Sequence, residues 1–194
     1  LSDNRGWKRY PVSVICQQLE GQQITDIKLT IPYSSTCPCS ASLARQLLAA
    51  RIREHFSPNN EALDIEQLAD WLQSDQGSVA TPHSQRSYAY VKLRLRSRHD
   101  FPLLQLIDGI EHALKTPVQT SVKRIDEQEF ARLNGENLMF CEDAARRIKQ
   151  ALKIQPDVVD YWLKVEHQES LHPHNAVAIA VANVAGGFSA QQPF

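Results

Sequence analysis

Residues 88–96 alternate along their whole length, with Ala89, Val91, Leu93 and Leu95 on one side and Tyr88, Tyr90, Lys92, Arg94 and Arg96 on the other. A period of two marks a strand with one face in a core and one face in polar surroundings. Such a strand needs partner strands and an apolar cover, and the rest of the chain offers both. Val12, Val14 and Cys16 alternate with Ser13, Ile15 and Gln17, and Ile27, Leu29 and Ile31 alternate with Lys28 and Thr30, on either side of "EGQQ". This predicts an opening β-hairpin. Two closing strands are predicted over residues 158–166 and 176–184, the second stopped by Gly186 and Gly187.

The cover is helical. Leu43, Leu47, Leu48 and Ile52 make a first stripe, and Leu63, Leu68, Trp71 and Leu72 a second after the breaker "SPNN". "SDQGSVATP" reads as loop. The clearest amphipathic helix carries Leu103, Leu104, Ile107, Ile110 and Leu114 and ends at Thr116 and Pro117; residues 118–124 read as extended, and helical sequence resumes over 127–154. The order of elements predicts an α+β chain with a mainly antiparallel sheet.

A length of 194 residues with 42% hydrophobic content supports a real core, as one domain or as two small modules sharing it. A net charge of −1 argues against a nucleic-acid binder that works by bulk electrostatics, although a local basic groove stays open. No apolar run is long enough to span a bilayer and no signal-peptide pattern opens the chain, so no membrane partner is expected and the cytoplasm is the expected compartment. Met139 is the only methionine, so Leu1 does not read as a translation start and upstream residues are expected. Neither G-x-x-x-x-G-K-[ST] nor G-x-G-x-x-G occurs. A phosphorylated ligand would therefore be held by side chains such as Lys123 and Arg124.

Cys16, Cys37, Cys39 and Cys141 are too few for a disulfide scaffold, and reduced thiols are expected. In "STCPCSASLARQLL" Pro38 suits the first helical position, which makes Cys37 the N-cap, and Cys37 and Cys39 are too close together to bridge comfortably. A thiol at a helix N-terminus is shifted toward thiolate, the form that binds metal or attacks carbon; two small buried hydrophobes at a turn are an equally good reading. "EHQESLHPHN" places His167, His172 and His174 at the loop joining the last two strands, and His83 stands in "TPHSQRS". His55, His99 and His112 fall in helices or a charged turn and read as surface residues. Thiolate, imidazole and carboxylate are the usual donors to Zn²⁺ and related ions, but here they would come from distant segments without zinc-finger spacing. "VKRIDEQEF" and "NLMFCEDAARRIK" read as surface helices laced with i,i+4 pairs such as Glu142 with Arg146.

Taken together, "CPCS", "HSQRS", "VKRxDEQ", "FCEDAAR" and "VEHQESLHPHNAVA" resemble the type IB GTP cyclohydrolase I family, from the first hairpin to the last strand. The resemblance implies the tunnelling fold (T-fold): antiparallel sheets with helices on one side, tandem modules here at about residues 1–84 and 85–194, and assembly as a homotetramer around a tunnel. It implies hydrolysis of GTP at guanine C8, release of formate and rearrangement to 7,8-dihydroneopterin triphosphate. It implies a divalent metal, Zn²⁺ or Mn²⁺, held by Cys37, His83, Glu127 or the adjacent Asp126, and His172, with Cys37 thereby part of the catalytic centre. Glu142 matches the position that anchors the guanine edge, and His167 and His174 are left for proton transfer. Between "CPCS" and "HSQRS" this chain inserts two helices where some relatives join the motifs tightly. The alternatives are a 7-cyano-7-deazaguanine reductase, whose lysine- and serine-rich cofactor segment is absent, and a non-catalytic pterin or purine-binding module with a structural metal.

Overall fold

The computed structural model describes residues 2–19, 21–56, 62–96 and 101–194. Strands β1 (Val12–Leu19), β2 (Gln22–Thr36), β3 (Ser84–Leu95), β4 (Val158–His167) and β5 (Ala176–Val181) form one sheet in sequence order, antiparallel throughout. Gly21, with φ +81°, makes the tight reversal of the opening hairpin, a conformation open to glycine at little cost. Helices α1 (Pro38–Phe56) and α2 (Ile65–Gln73) separate β2 from β3; α3 (Leu103–Leu114), α4 (Arg124–Glu136) and α5 (Cys141–Lys153) separate β3 from β4. Glu20 of "EGQQ", "SPNN" and His99 lie outside the described residues.

The alternation on β3 sorts its faces as read from sequence. Ala89, Val91, Leu93 and Leu95 join Ile27, Leu29, Ile31 and Tyr33 of β2 and Leu163 and Val165 of β4 in one buried layer, covered by α3 and α5. β3 pairs with β2 along one edge and with β4 along the other, so strands from both halves of the chain share one sheet and one core. In α3 the buried stripe is Leu106, Ile107, Ile110 and Leu114; Leu104 points off that face and is exposed. The last strand ends at Val181, three residues earlier than expected, because Asn183 at φ +64° and Gly186 at φ +70° turn the chain away.

The helical sequence expected over 127–154 is two helices. Between them, the Met139 N–H donates to Thr36 O at 3.2 Å and Leu138 bridges Thr36, so pairing with the end of β2 overrides local helical preference. On α1 only Ala41 and Ala44 are buried; Leu43 and Leu47 of its apolar stripe are exposed. α2 docks through Trp71, which packs against His55 and Phe56 at the end of α1.

On the opposite face of the sheet Lys92 and Arg94 are already engaged. Arg94 grips Asp26 at 2.9 and 3.1 Å, and Phe188 lies beneath Lys92 and Arg94 at 4.7 and 4.8 Å. Phe194 stacks on Trp162. Among the described residues no helix is long and apolar enough to cross a membrane.

Candidate active site

The β2–β3 ladder ends at Thr36 and Ser84, and just beyond it the Cys37 N–H donates to His83 O at 3.3 Å. The His83 N–H in turn donates to Ser40 Oγ at 3.0 Å, in the first turn of α1. Cys37 O accepts the first helical hydrogen bond from Ala41 at 3.0 Å, so Cys37 is the N-cap and Pro38 the first helical residue. Strand register brings Cys37 and His83 side by side regardless of the two helices inserted between them. His83 Nδ1 lies 2.7 Å from Gln85 Oε1. A carboxamide oxygen only accepts, so Nδ1 carries the proton and Nε2 keeps its lone pair for a ligand.

The end of β4 comes to the same place. His167 pairs with Ser87, and the next residue, Gln168, donates its N–H to Arg86 O at 3.2 Å before the chain enters the β4–β5 loop. Asn175 clamps that loop: its Nδ2 donates to Glu166 Oε1 at 3.0 Å, and its Oδ1 accepts the Glu169 N–H at 3.1 Å. Within it His172 and His174 stack with ring centroids 5.2 Å apart.

These segments enclose a cleft of about 440 Å³ lined by Cys37, Cys39, His83, Glu169 and His172 together with Leu43, Leu47, Phe140 and Leu171. Three of the four expected metal donors thus share one cleft. Among the described residues no three His, Cys, Asp or Glu side chains already stand as a ready-made metal group. Glu127 lines a neighbouring cleft of about 640 Å³ with Thr36, Pro82, Ser84, Gln85 and Arg86. Successive residues of the two strand ends divide between the clefts, so Glu127 and His83 face adjoining spaces. Asp126 is committed elsewhere: it accepts the Lys123 N–H and the Ser2 N–H, each at 2.9 Å, and the Ser2 hydroxyl. Those hydrogen bonds, the Ser2 hydroxyl's foremost, hold its carboxyl well below the usual range. Asp126 lines a smaller cleft of about 220 Å³ with Ser2 and Glu129, whereas Glu127 lines the one that holds Ser84 and Gln85, the neighbours of His83.

The donor set matches a divalent metal in kind. Thiolate, two imidazoles and a carboxylate suit Zn²⁺ or Mn²⁺ better than an oxygen-only ion such as Mg²⁺.

Other expected residues fall differently. Glu142, which the resemblance makes the anchor of the guanine edge, is exposed in the first turn of α5, lines neither cleft and accepts the Cys141 thiol at 3.3 Å. Its i,i+4 pair with Arg146 is not formed; Arg146 bonds Asp143 at 2.5 Å. Cys141 is buried, and burial together with Glu142 pushes its thiol up to about 11, so it stays protonated. His167 is buried with Nε2 2.8 Å from Tyr33 Oη, and burial pushes its pKa down to about 4 against the pull of Glu142 and Asp143. It is a neutral ring with that nitrogen occupied. His174 is exposed, as are Lys123 and Arg124 at the start of α4, next to Val122 and Glu127 of the larger cleft. Sequence reasoning does not single out Glu169, Gln85 or Phe140. The signal for Glu169 was its place three residues before His172; the other two show only through contacts.

A family model described as "Type I GTP cyclohydrolase folE2" matches residues 1–178. The chain belongs to this family. The GTP cyclohydrolase FolE2 of Hydrogenovibrio crunogenus is 53% identical over 193 residues, covering 100% of this chain and 61% of that protein. The GTP cyclohydrolase FolE2 of Pseudoalteromonas translucida is 55% identical over 191 residues, covering 98% of this chain and 62% of that protein. The FolE2-family chain described here therefore spans less than two thirds of the length of these relatives. The resemblance carried by its motifs holds at the level of a type I GTP cyclohydrolase; the matching description is FolE2 and names no type IB subdivision.

Proposed function

We propose that this protein is a GTP cyclohydrolase that takes GTP and water to 7,8-dihydroneopterin 3'-triphosphate and formate, the entry step to tetrahydrofolate, with the metal dependence implied by the type IB resemblance. The observation that carries this reading is the meeting of Cys37, His83 and His172 in one cleft of a FolE2-family chain. These three, with Glu127 from the adjoining cleft, would hold a Zn²⁺ or Mn²⁺ ion. When bound, such an ion supplies Lewis acidity that brings water toward ionisation at neutral pH and stabilises developing oxyanion charge.

The chain's own residues do the rest. His83 is oriented by Gln85 so that Nε2 is the free nitrogen. A carboxylate accepts the paired donors of the guanine edge, N1–H and the 2-amino group, and this excludes adenine. Glu142 and Glu169 are the two candidates, and the position of Glu169 in the cleft favours it. Proton transfer falls to His174, which is exposed beside His172, because the Nε2 of His167 is held by Tyr33. Lys123 and Arg124 would meet the triphosphate. The T-fold, the tandem modules and a homotetramer belong to the same reading, supported by α3 and α5 covering one face of an antiparallel sheet. The strands at its edges, β1 and β5, offer unpaired backbone for assembly. The proposed compartment is the cytoplasm, where GTP is available. The reading is tested by incubating chelator-treated protein with GTP and one metal at a time, then detecting neopterin by HPLC with fluorescence.

A further inference from the structure

Of the four expected metal donors, Glu127 stands apart from the cleft of Cys37, His83 and His172 and is carried by a helix, α4. Cys37 and His83 need no side chain to bring them together: the β2–β3 ladder and the Cys37 N–H donating to His83 O at 3.3 Å hold them side by side through the main chain. A separate tie sets α4 against these strand ends. It is a group of polar side chains centred on Thr36, the residue before Cys37.

Asn134 follows Glu127 by seven residues, two turns of α4, so the two share one face of the helix, and both line the cleft of about 640 Å³. The Asn134 side chain is buried, and its Nδ2 donates to Phe130 O at 2.8 Å. A backbone carbonyl only accepts, so this contact fixes the orientation of the carboxamide and turns Oδ1 toward β2. There Oδ1 accepts the Ser34 hydroxyl at 2.6 Å and the Thr36 hydroxyl at 3.3 Å. Thr36 Oγ1 lies 2.6 Å from Ser84 Oγ, on the residue after His83. With the single hydroxyl proton of Thr36 given to Asn134, Ser84 is the donor in that pair. One buried hydroxyl thereby joins the segment of Cys37, the segment of His83 and the helix of Glu127. A valine would meet the strand preference at position 36 equally well, and burying a hydroxyl against a carboxamide is favourable only while these hydrogen bonds are made.

We infer that the Thr36 hydroxyl and the Asn134 carboxamide are positioning groups for metal binding, setting the rotation and register of α4 so that Glu127 is presented toward Cys37 and His83. The inference rests on the proposed metal site. Thr36 acts through Glu127 and touches no ion itself. Removing its hydroxyl leaves the main-chain pairing of Cys37 with His83 in place, so the share of binding that is lost is the share Glu127 supplies. A tie that served stability alone would lower the unfolding free energy and leave metal affinity where it was.

The test uses Thr36→Val, which keeps the branched shape without the hydroxyl, and Thr36→Ser, which keeps the hydroxyl. Each is made in the parent and in Glu127→Gln. Affinity for Zn²⁺ and Mn²⁺ is measured on chelator-treated protein by competition with a chromophoric chelator, beside urea unfolding of the metal-free protein. Thr36→Val should weaken metal binding by about tenfold, the lower end of the loss seen when a group that orients a ligand is removed. In the Glu127→Gln background the same change should cost less than about twofold, because the residue it acts through is already gone. Thr36→Ser should bind metal as the parent does. Unchanged affinity in Thr36→Val, an equal loss in both backgrounds, or an equal loss in Thr36→Ser would overturn the inference and leave the metal site standing. Full affinity in Glu127→Gln would overturn the inference and remove Glu127 from the donors. Parent protein that binds neither ion would overturn the site and the inference together. Should Thr36→Val fail to fold, Asn134→Ala, which removes the acceptor on α4 in favour of a strong helix former, carries the same comparison.

Discussion

Acid should destabilise this protein through His167 by an amount that follows from its surroundings. The ring is 3% exposed, its Nε2 lies 2.8 Å from Tyr33 Oη, and burial lowers its pKa from 6.5 to about 4. In the unfolded chain the imidazole takes a proton near its ordinary value, while in the folded protein it does so only near pH 4. Between these values the unfolded state binds more protons, so falling pH favours unfolding. The stabilising contribution is complete above about pH 6.5, declines as pH falls through the interval, and levels off below about pH 4. An interval of about 2.5 pH units at about 1.4 kcal/mol each amounts to about 3.5 kcal/mol, of which about 3 kcal/mol is lost by pH 4. His167→Gln can keep a hydrogen bond to Tyr33 but cannot titrate. Urea unfolding of chelator-treated parent and variant from pH 7.5 to pH 4 should show the parent losing about 3 kcal/mol more than the variant. Parallel curves would refute the argument and return His167 to the candidates for proton transfer.

Two further predictions concern the cleft. Glu169→Gln should lower kcat/KM for GTP by about a hundredfold or more, because a charge-assisted pair with the guanine edge is lost, whereas Glu142→Gln should stay within about threefold. Kinetics of the two variants at unchanged metal content check this, and the reverse order would move the base to Glu142. Gln85→Leu removes the acceptor on His83 Nδ1 and should weaken metal binding about 10- to 100-fold in competition with a chromophoric chelator, with little change in unfolding free energy. Unchanged metal affinity would mean that His83 does not ligate through the nitrogen that Gln85 leaves free.

The sheet was legible in the sequence because burial on one face leaves a period of two. Ala89, Val91, Leu93 and Leu95 could hardly be read otherwise, and they sit in the core. The N-cap at Cys37 was legible for a similarly local reason, since Pro38 tolerates few other places in a helix. Local patterns failed where distant chain decides. The stripe of Leu43 and Leu47 declared an apolar face but not its cover, and that face is the wall of a cleft. The break between α4 and α5 comes from Thr36, about a hundred residues earlier in the chain. The candidate site divides in the same way. "CPCS" and "HSQRS" held Cys37 and His83, but neighbouring residues in one motif can point to opposite destinations. Asp126 is taken by Ser2 and Lys123 while Glu127 lines the cleft that holds Ser84 and Gln85, and His167 is buried against Tyr33 while His172 lines the cleft of Cys37 and His83.

The central claim, that Cys37 and its neighbours form a metal-dependent site for opening GTP, is tested most directly by one assay on chelator-treated protein. GTP is supplied with Mn²⁺, Zn²⁺ or Mg²⁺ in excess, and neopterin fluorescence is followed for the parent, Cys37→Ala and Cys39→Ala. The account predicts product from the parent with Mn²⁺ or Zn²⁺ and not with Mg²⁺, none from Cys37→Ala with any metal, and turnover largely kept in Cys39→Ala. Full activity of Cys37→Ala, reactivation of the parent by Mg²⁺ alone, or no neopterin from the parent with any metal would contradict it.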